Sequence, residues 1–223
     1  VYKRQHMAFL VRRLRRICRH YGSDPQFVLS TATLANPGEF AEKLCGVPFR
    51  VISGDGSPAG ERRFILYNPF PDGYPENPVY REATDLIIHS LRHDLQTLCF
   101  TGSRKITELL TSWVKGDRCR DLPGSPDEIA AYRAGYLPEE RRDIERRLKN
   151  GDLRGVVSTN ALEVGIDVGS LDCVIMTGFP GTMMSTWQQT GRAGRKNSES
   201  LAILVGFGNP LDQYFMRHPD TFF

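Results

Sequence analysis

No run in this 223-residue chain approaches the roughly 18 apolar residues that a membrane-spanning helix needs. No leader pattern of basic, apolar and small residues opens it. The sequence therefore offers no membrane partner. Cysteine is sparse and scattered: Cys18, Cys45, Cys99, Cys119 and Cys173 contain no C-x-x-C pair. That spacing argues against a zinc or other metal centre built within the chain. An odd count at wide intervals fits the reducing cytoplasm better than a disulfide framework. His20, His89 and His93 read as ordinary helix or surface histidines. Two further absences are a Gly-rich phosphate loop closing on Lys-Ser or Lys-Thr and an Asp-Glu-x-His box that would hold magnesium. Without them the chain is not expected to hydrolyse a nucleotide unaided.

What is present is an ordinary globular composition. Apolar residues make up 40% and charged residues 25%, with a net charge of +3. That is enough apolar material for a real core, and the mild basic bias is compatible with nucleic acid without arguing for it. The chain opens on Val1 rather than Met and closes on Phe223 with no polar tail. The expectation is a piece of a longer protein.

Hydrophobic periodicity divides the chain. From Met7 to Tyr21 a helix carries Phe9, Leu10, Leu14 and Ile17 on one stripe and five arginines on its other faces. The arginine face reads as solvated, with some structural pairing. Short strands are expected at 27–30, 49–53 and 63–67, and a helix capped near Asn36 that stops near Gly46. Pro69, Pro71, Pro75 and Pro78 suggest a linker over 71–78, with an incomplete first piece over 1–70. From Val79 onward strands and helices alternate. Helices are expected at 79–93, 103–115 and 138–150, and strands at 97–101, 129–132, 155–158, 173–177 and 201–205. Such alternation argues for an α/β fold with a parallel sheet covered on both faces, whose ligands gather at the carboxyl ends of the strands.

Two segments carry the chemistry. Gln188 to Arg195 (QQTGRAGR) sets Arg192 and Arg195 three residues apart, read as one face at a helix start. Guanidinium groups match phosphate oxygens through two parallel hydrogen bonds. The plainer reading is a solvated arginine-rich helix start. Thr159 to Asp167 (TNALEVGID) offers a hydroxyl at a strand end, a tight turn at Gly165 and an acceptor at Asp167. Its plainer reading is a capped strand-to-helix loop. Trp113 and Trp187 read as core or interface residues.

These segments, with Thr31-Ala32-Thr33, the strand end Phe100 to Arg104 and Ala134-Gly135, occur in the order of motifs III, IV, IVa, V and VI of superfamily two DEAD/DEAH-box helicases. The stretch Ala131 to Arg142 resembles the RecQ-related branch that carries a carboxyl-terminal cysteine-rich zinc domain and includes mitomycin-repair helicases. The resemblance implies a RecA-like (P-loop NTPase type) helicase C-terminal domain over 79–223, preceded by the tail of a first RecA-like domain. It implies ATP with Mg2+ as cofactor, the magnesium ligands being expected in the missing first domain. By the same resemblance Arg195, with Arg192, faces the ATP phosphates, Arg195 as arginine finger, and Gly165, Asp167 and Gln188 lie near the nucleotide. Ser103, Arg104, Gly135 and Thr159 meet the nucleic-acid backbone, and Thr31 and Thr33 couple hydrolysis to strand movement. Gln188-Gln189 departs from the His-Arg of many DEAD-box proteins. Implied partners are single-stranded or forked nucleic acid, DNA in preference to RNA, the missing amino-terminal RecA-like domain and the zinc domain. The resulting expectation is a portion of an ATP-dependent DNA helicase or translocase acting in repair. The alternative is a non-catalytic nucleic-acid-binding or partner-docking module.

Overall fold

The structure is a computed structural model of the chain. It describes all residues except 1, 32–33, 35, 55, 57–59, 71–77, 117–124, 164–165, 167, 170, 195–198 and 223, and the backbone alone of 2–4. Two compact units divide after Gly56.

The first unit holds α1 (Tyr2–His20) and α2 (Pro37–Cys45). Asn36 stands at the α2 N-cap with proline in the first turn, and Gly46 closes the helix in a left-handed conformation. Arg15 Nη1 donates to the carbonyls of Cys45 (2.9 Å) and Gly46 (3.0 Å). It thereby satisfies acceptors left over at a helix end, where positive charge is also favoured. One arginine of the basic face thus has a structural partner. Phe9, Leu10, Leu14 and Ile17 stay at least half exposed. Residues 27–30 and 49–53, expected as strands, form none. A strand needs a ladder, and the described residues of this unit provide no partner for one.

In the second unit six strands form one parallel sheet: β1 (Arg62–Tyr67), β2 (Thr97–Phe100), β3 (Ile129–Tyr132), β4 (Gly155–Ser158), β5 (Cys173–Thr177) and β6 (Ser200–Val205). Their order across the sheet is β1-β6-β5-β2-β4-β3. The helices are α3 (Val79–Arg92), α4 (Arg104–Lys115), α5 (Pro138–Asn150), α6 (Met183–Thr190) and α7 (Pro210–Arg217).

Strand alternation fills two cores. Cys99, Val157, Cys173, Ile175 and Ile203 point to one face, against Ile87 and Leu91 of α3 and Leu110 and Val114 of α4. Leu98, Phe100, Val156, Val174, Met176 and Leu204 point to the other. There they meet Leu148 of α5, Leu162 and Leu171 of the β4–β5 connection, and Phe222. Burial on both faces explains why these strands read as continuous apolar runs. Cys99 and Cys173 are core residues, as expected, and burial pushes both thiols up.

One assignment needs correction. The sequence places the strand expected over 63–67 with the first piece. Instead it is the edge strand of the second unit, in register with β6 from Arg62↔Ser200 to Tyr67↔Val205. The proline-rich stretch after it marks no domain boundary at that point. Tyr67 donates to the Glu82 carboxylate across it at 2.8 Å, and Asn68 and Gln213 exchange amide hydrogen bonds at 3.1 and 3.2 Å. Residues 71–77 of the expected linker lie outside the described residues.

Candidate functional site

Three neighbouring strands, β2, β4 and β3, end side by side. Chain leaving β2 turns through Gly102 into α4, with Ser103 as N-cap accepting from the Ile106 amide at 3.3 Å. Thr101 and Thr107 hydroxyls bond at 2.7 Å, and Thr107 also donates to the Ser103 carbonyl at 3.0 Å. This pins the turn while Gly102, Ser103, Arg104 and Lys105 remain exposed at the positive end of the helix. After β3 the chain passes through Gly135. A Cβ there would come within 2.6 Å of Arg133 Nη1 and 3.6 Å of Arg104 Nη1. Glycine leaves room in this turn for the Arg133 guanidinium, while the Arg104 distance is ordinary contact. After β4, Thr159 caps a short 3-10 turn (Asn160–Leu162) and its amide donates to the Tyr132 carbonyl at 3.3 Å.

Glu108 locks the post-β3 turn onto α4. It accepts from Arg133 Nε at 2.8 Å and from the Tyr136 hydroxyl at 2.7 Å, while the Arg133 guanidinium lies 4.5 Å from the Tyr136 ring centre. Burial raises the Glu108 carboxyl, but the bonds from Arg133 and Tyr136 outweigh it and hold it below the usual carboxylate range. Burial, then the Glu108 bond, push Tyr136 up to about 12. The Glu108 contribution is therefore present above its unfolded value and lost as pH falls through the lower folded one. That of Tyr136 is intact below about 10 and lost as pH rises through the folded value. Because Glu108 is half exposed, Tyr136→Phe is expected to cost under about 1 kcal/mol. Urea denaturation should show that cost as a plateau from about pH 5 to about pH 10, shrinking on both sides. A pH-independent difference would refute the account.

The connection from β4 to β5 runs beside α6 on the second face of the sheet. Glu163 accepts from Ser185 Oγ at 2.7 Å and from Gln189 Nε2 at 2.9 Å. Its carbonyl accepts from Arg192 Nε (3.3 Å) and Nη2 (3.0 Å), and Arg192 Nη1 donates to the Ile166 carbonyl. Beyond α6, Ala193 forms a parallel bridge with Leu171, just ahead of β5. Two placements differ from the sequence expectation. Arg192 follows the end of α6 instead of opening a helix, since Gly191 is the C-cap. Positive charge is favoured at that end. Residues 191–194 also lie toward the entry side of β5, whereas the turns after β2, β3 and β4 lie at the carboxyl edge.

The Helicase conserved C-terminal domain family matches residues 80–197. The chain belongs to this family. As a helicase C-terminal domain it has the RecA-like parallel fold. It is 47% identical over 222 residues to the uncharacterized ATP-dependent helicase YprA of Bacillus subtilis (strain 168), covering 98% of this chain and 29% of that protein. It is 40% identical over 223 residues to the ATP-dependent helicase hrq1 of Schizosaccharomyces pombe (strain 972 / ATCC 24843), covering 96% and 21%. The crystal structure of the DUF1998 helicase MrfA bound to DNA and AMPPNP superposes with a TM-score of 0.89 at 46% identity, covering 96% of this chain and 30% of that one. The chain therefore spans under a third of the length of these relatives.

Within this helicase C-terminal domain the carboxyl edge of β2, β4 and β3 collects Ser103, Arg104, Gly135 and Thr159. Gln188 sits in the last turn of α6, partly buried. Thr31 lies in the first unit. Thr33, Gly165, Asp167 and Arg195 lie outside the described residues. Sequence reasoning missed Glu163, Ser185 and Gln189, whose link joins the two motif segments. The signal was a carboxylate inside one motif and a polar helix leading into the other, too far apart in the chain to be read locally. Trp187 packs against Phe64 of β1, ring centres 5.9 Å apart, which suits the core reading. Among the described residues no helix is long and apolar enough to cross a membrane.

Proposed function

We propose that this chain belongs to an ATP-dependent DNA helicase or translocase, to which it supplies the arginine finger and a set of strand contacts. The observation that carries the reading is the juxtaposition of Ser103, Arg104, Gly135 and Thr159 on one sheet edge. They belong to a chain that closely resembles helicases solved with DNA and an ATP analogue. An exposed helix start that carries Arg104 suits backbone phosphates, and such contacts position a strand with little regard to sequence.

ATP with Mg2+ is the implied cofactor. Arg192 fits a phosphate cradle poorly, because its guanidinium is engaged by the carbonyls of Glu163 and Ile166. Arg195 is then the better phosphate ligand, with Gly165, Asp167 and Gln188 beside the nucleotide by their motif positions. Bound ATP supplies the free energy for strand movement, and its magnesium is held by an upstream RecA-like domain. The first unit is the tail of that domain. Its exposed apolar stripe on α1 and the stretches 27–30 and 49–53, which form no strand, support this, since each needs a partner to bury or pair it. Thr31 and Thr33 then couple hydrolysis to movement.

The finer placement is the RecQ-related branch with a carboxyl-terminal zinc domain, acting on single-stranded or forked DNA in preference to RNA, in repair. Support comes from the Ala131 to Arg142 stretch and from relatives named as DNA-bound helicases. The test is ATP hydrolysis by the full-length protein with and without single-stranded DNA and RNA, at several salt concentrations. Stimulation by DNA that weakens with salt is expected. Absence of any hydrolysis would favour the binding-module alternative.

A further inference from the structure

Glu163 belongs to one of the two motif segments and is held by α6 and by Arg192 beyond it, the helix and residue that make up the other. Its two carboxylate oxygens take hydrogen bonds from two different turns of α6, Ser185 at 2.7 Å and Gln189 at 2.9 Å. Its carbonyl takes two from Arg192, beyond the end of the same helix. The Gln189 side chain belongs to a residue only 5% exposed, so this partner is needed to avoid stranding a polar group in the interior. Four residues before Glu163 stands Thr159, anchored to β3 at the carboxyl edge. Three residues after Arg192 comes Arg195. In sequence the network thus lies between Thr159 and Arg195, the residues to which the motor reading gives a strand contact and the arginine finger.

We propose that Glu163 is a positioning residue, clasping the chain that leaves β4 to α6 so that nucleotide binding and nucleic-acid binding report on one another. The inference rests on the motor reading above and deepens it. A shift of the segment on strand binding cannot leave α6 behind while the carboxylate holds two of its turns. The same contacts carry the effect in the reverse direction, because energetic coupling between two binding sites is reciprocal. Ser185 and Gln189 are the donors, and Arg192 secures the backbone of the segment at Glu163 and Ile166.

The experiment uses the full-length protein, a fluorescent single-stranded oligonucleotide and AMPPNP, with DNA affinity read by anisotropy in the presence and absence of the analogue. Coupling between sites is commonly about 5- to 150-fold. Wild-type protein is expected to show an AMPPNP-dependent change in Kd in that range. Glu163→Ala is expected to reduce it to under about twofold while nucleotide-free affinity, set at the carboxyl edge, stays within about threefold. Glu163→Gln is expected to retain most of the coupling, because a carboxamide still accepts from Gln189 and donates to the Ser185 hydroxyl. A merely structural role would lower nucleotide-free affinity and leave the ratio alone. Should Glu163→Ala fail to fold, Ser185→Ala and Gln189→Ala each remove one donor. Unaltered coupling in both overturns the proposal, as does unaltered coupling in a folded Glu163→Ala. A wild-type protein that neither hydrolyses ATP nor responds to AMPPNP overturns the motor reading and the clasp together.

Discussion

Arg195→Ala in the full-length protein is expected to lower ATP turnover by about a thousandfold or more. Affinity for single-stranded DNA should stay close to wild type. The magnitude follows from where the charge develops. Negative charge spreads over the equatorial oxygens of the transferring phosphoryl group, and a guanidinium stabilises it with paired hydrogen bonds in a site from which water is excluded. Arg192 is the natural comparison, since it lies on the same segment but donates to the Glu163 and Ile166 carbonyls. Single-turnover hydrolysis and DNA anisotropy on the same preparation separate the two effects. Unchanged turnover would remove Arg195 from the proposed catalytic role. A parallel loss of DNA affinity would mean that the substitution acts through the fold.

The second large effect is expected away from the chemistry. Asp212 of α7 is almost fully buried, at 4% exposure. One carboxylate oxygen accepts from the backbone amides of Phe179 (3.1 Å) and Phe207 (2.8 Å), and the other from the Asn209 side chain at 3.1 Å. These amides belong to the turns that leave β5 and β6, so one side chain ties two strand ends to α7. Room for it exists because residue 178 is glycine, with φ +80° and the Phe207 ring 2.2 Å from where a Cβ would stand. Asp212→Ala strands two backbone donors, at roughly 1–3 kcal/mol each. A total of about 2–6 kcal/mol is a large share of the stability of an ordinary domain. Urea denaturation should show it as a lower midpoint at unchanged slope. Asp212→Asn retains an acceptor and should lose much less. A loss under about 1 kcal/mol for the alanine variant would mean that water reaches both amides.

Much of the second unit was legible because its signals are local. Strands 129–132, 155–158 and 173–177 are short apolar runs between polar or glycine boundaries, and they occur as expected. Helix α5 begins at Pro138 and stops at Gly151, both readable as a start and a stop. What failed depended on distance. Nothing near Arg62 says that its strand pairs with one beginning at Ser200, and the prolines after it suggest a boundary instead. Helix α6 is eight residues of MMSTWQQT with no strong apolar stripe, so its end looks like a beginning in the sequence and puts the arginines on the wrong side of it. At the site, the turns after β2, β3 and β4 were legible because strand ends in a parallel sheet are where contacts gather. The Glu163 link was not, since its partners are more than twenty residues away and polar contacts leave no periodicity.

The position of β6 has a practical consequence. Residues 80–197, the span matched by the family, omit both β1 and β6. A protein trimmed to that span would turn β5, whose five residues are all buried in the intact sheet, into a bare hydrophobic margin, with the amides and carbonyls that face β6 unpaired while those facing β2 stay paired. Such margins recruit one another between molecules. The trimmed piece is expected to elute as soluble aggregate on size exclusion, whereas a piece that keeps residues 57–223 should run as a discrete species.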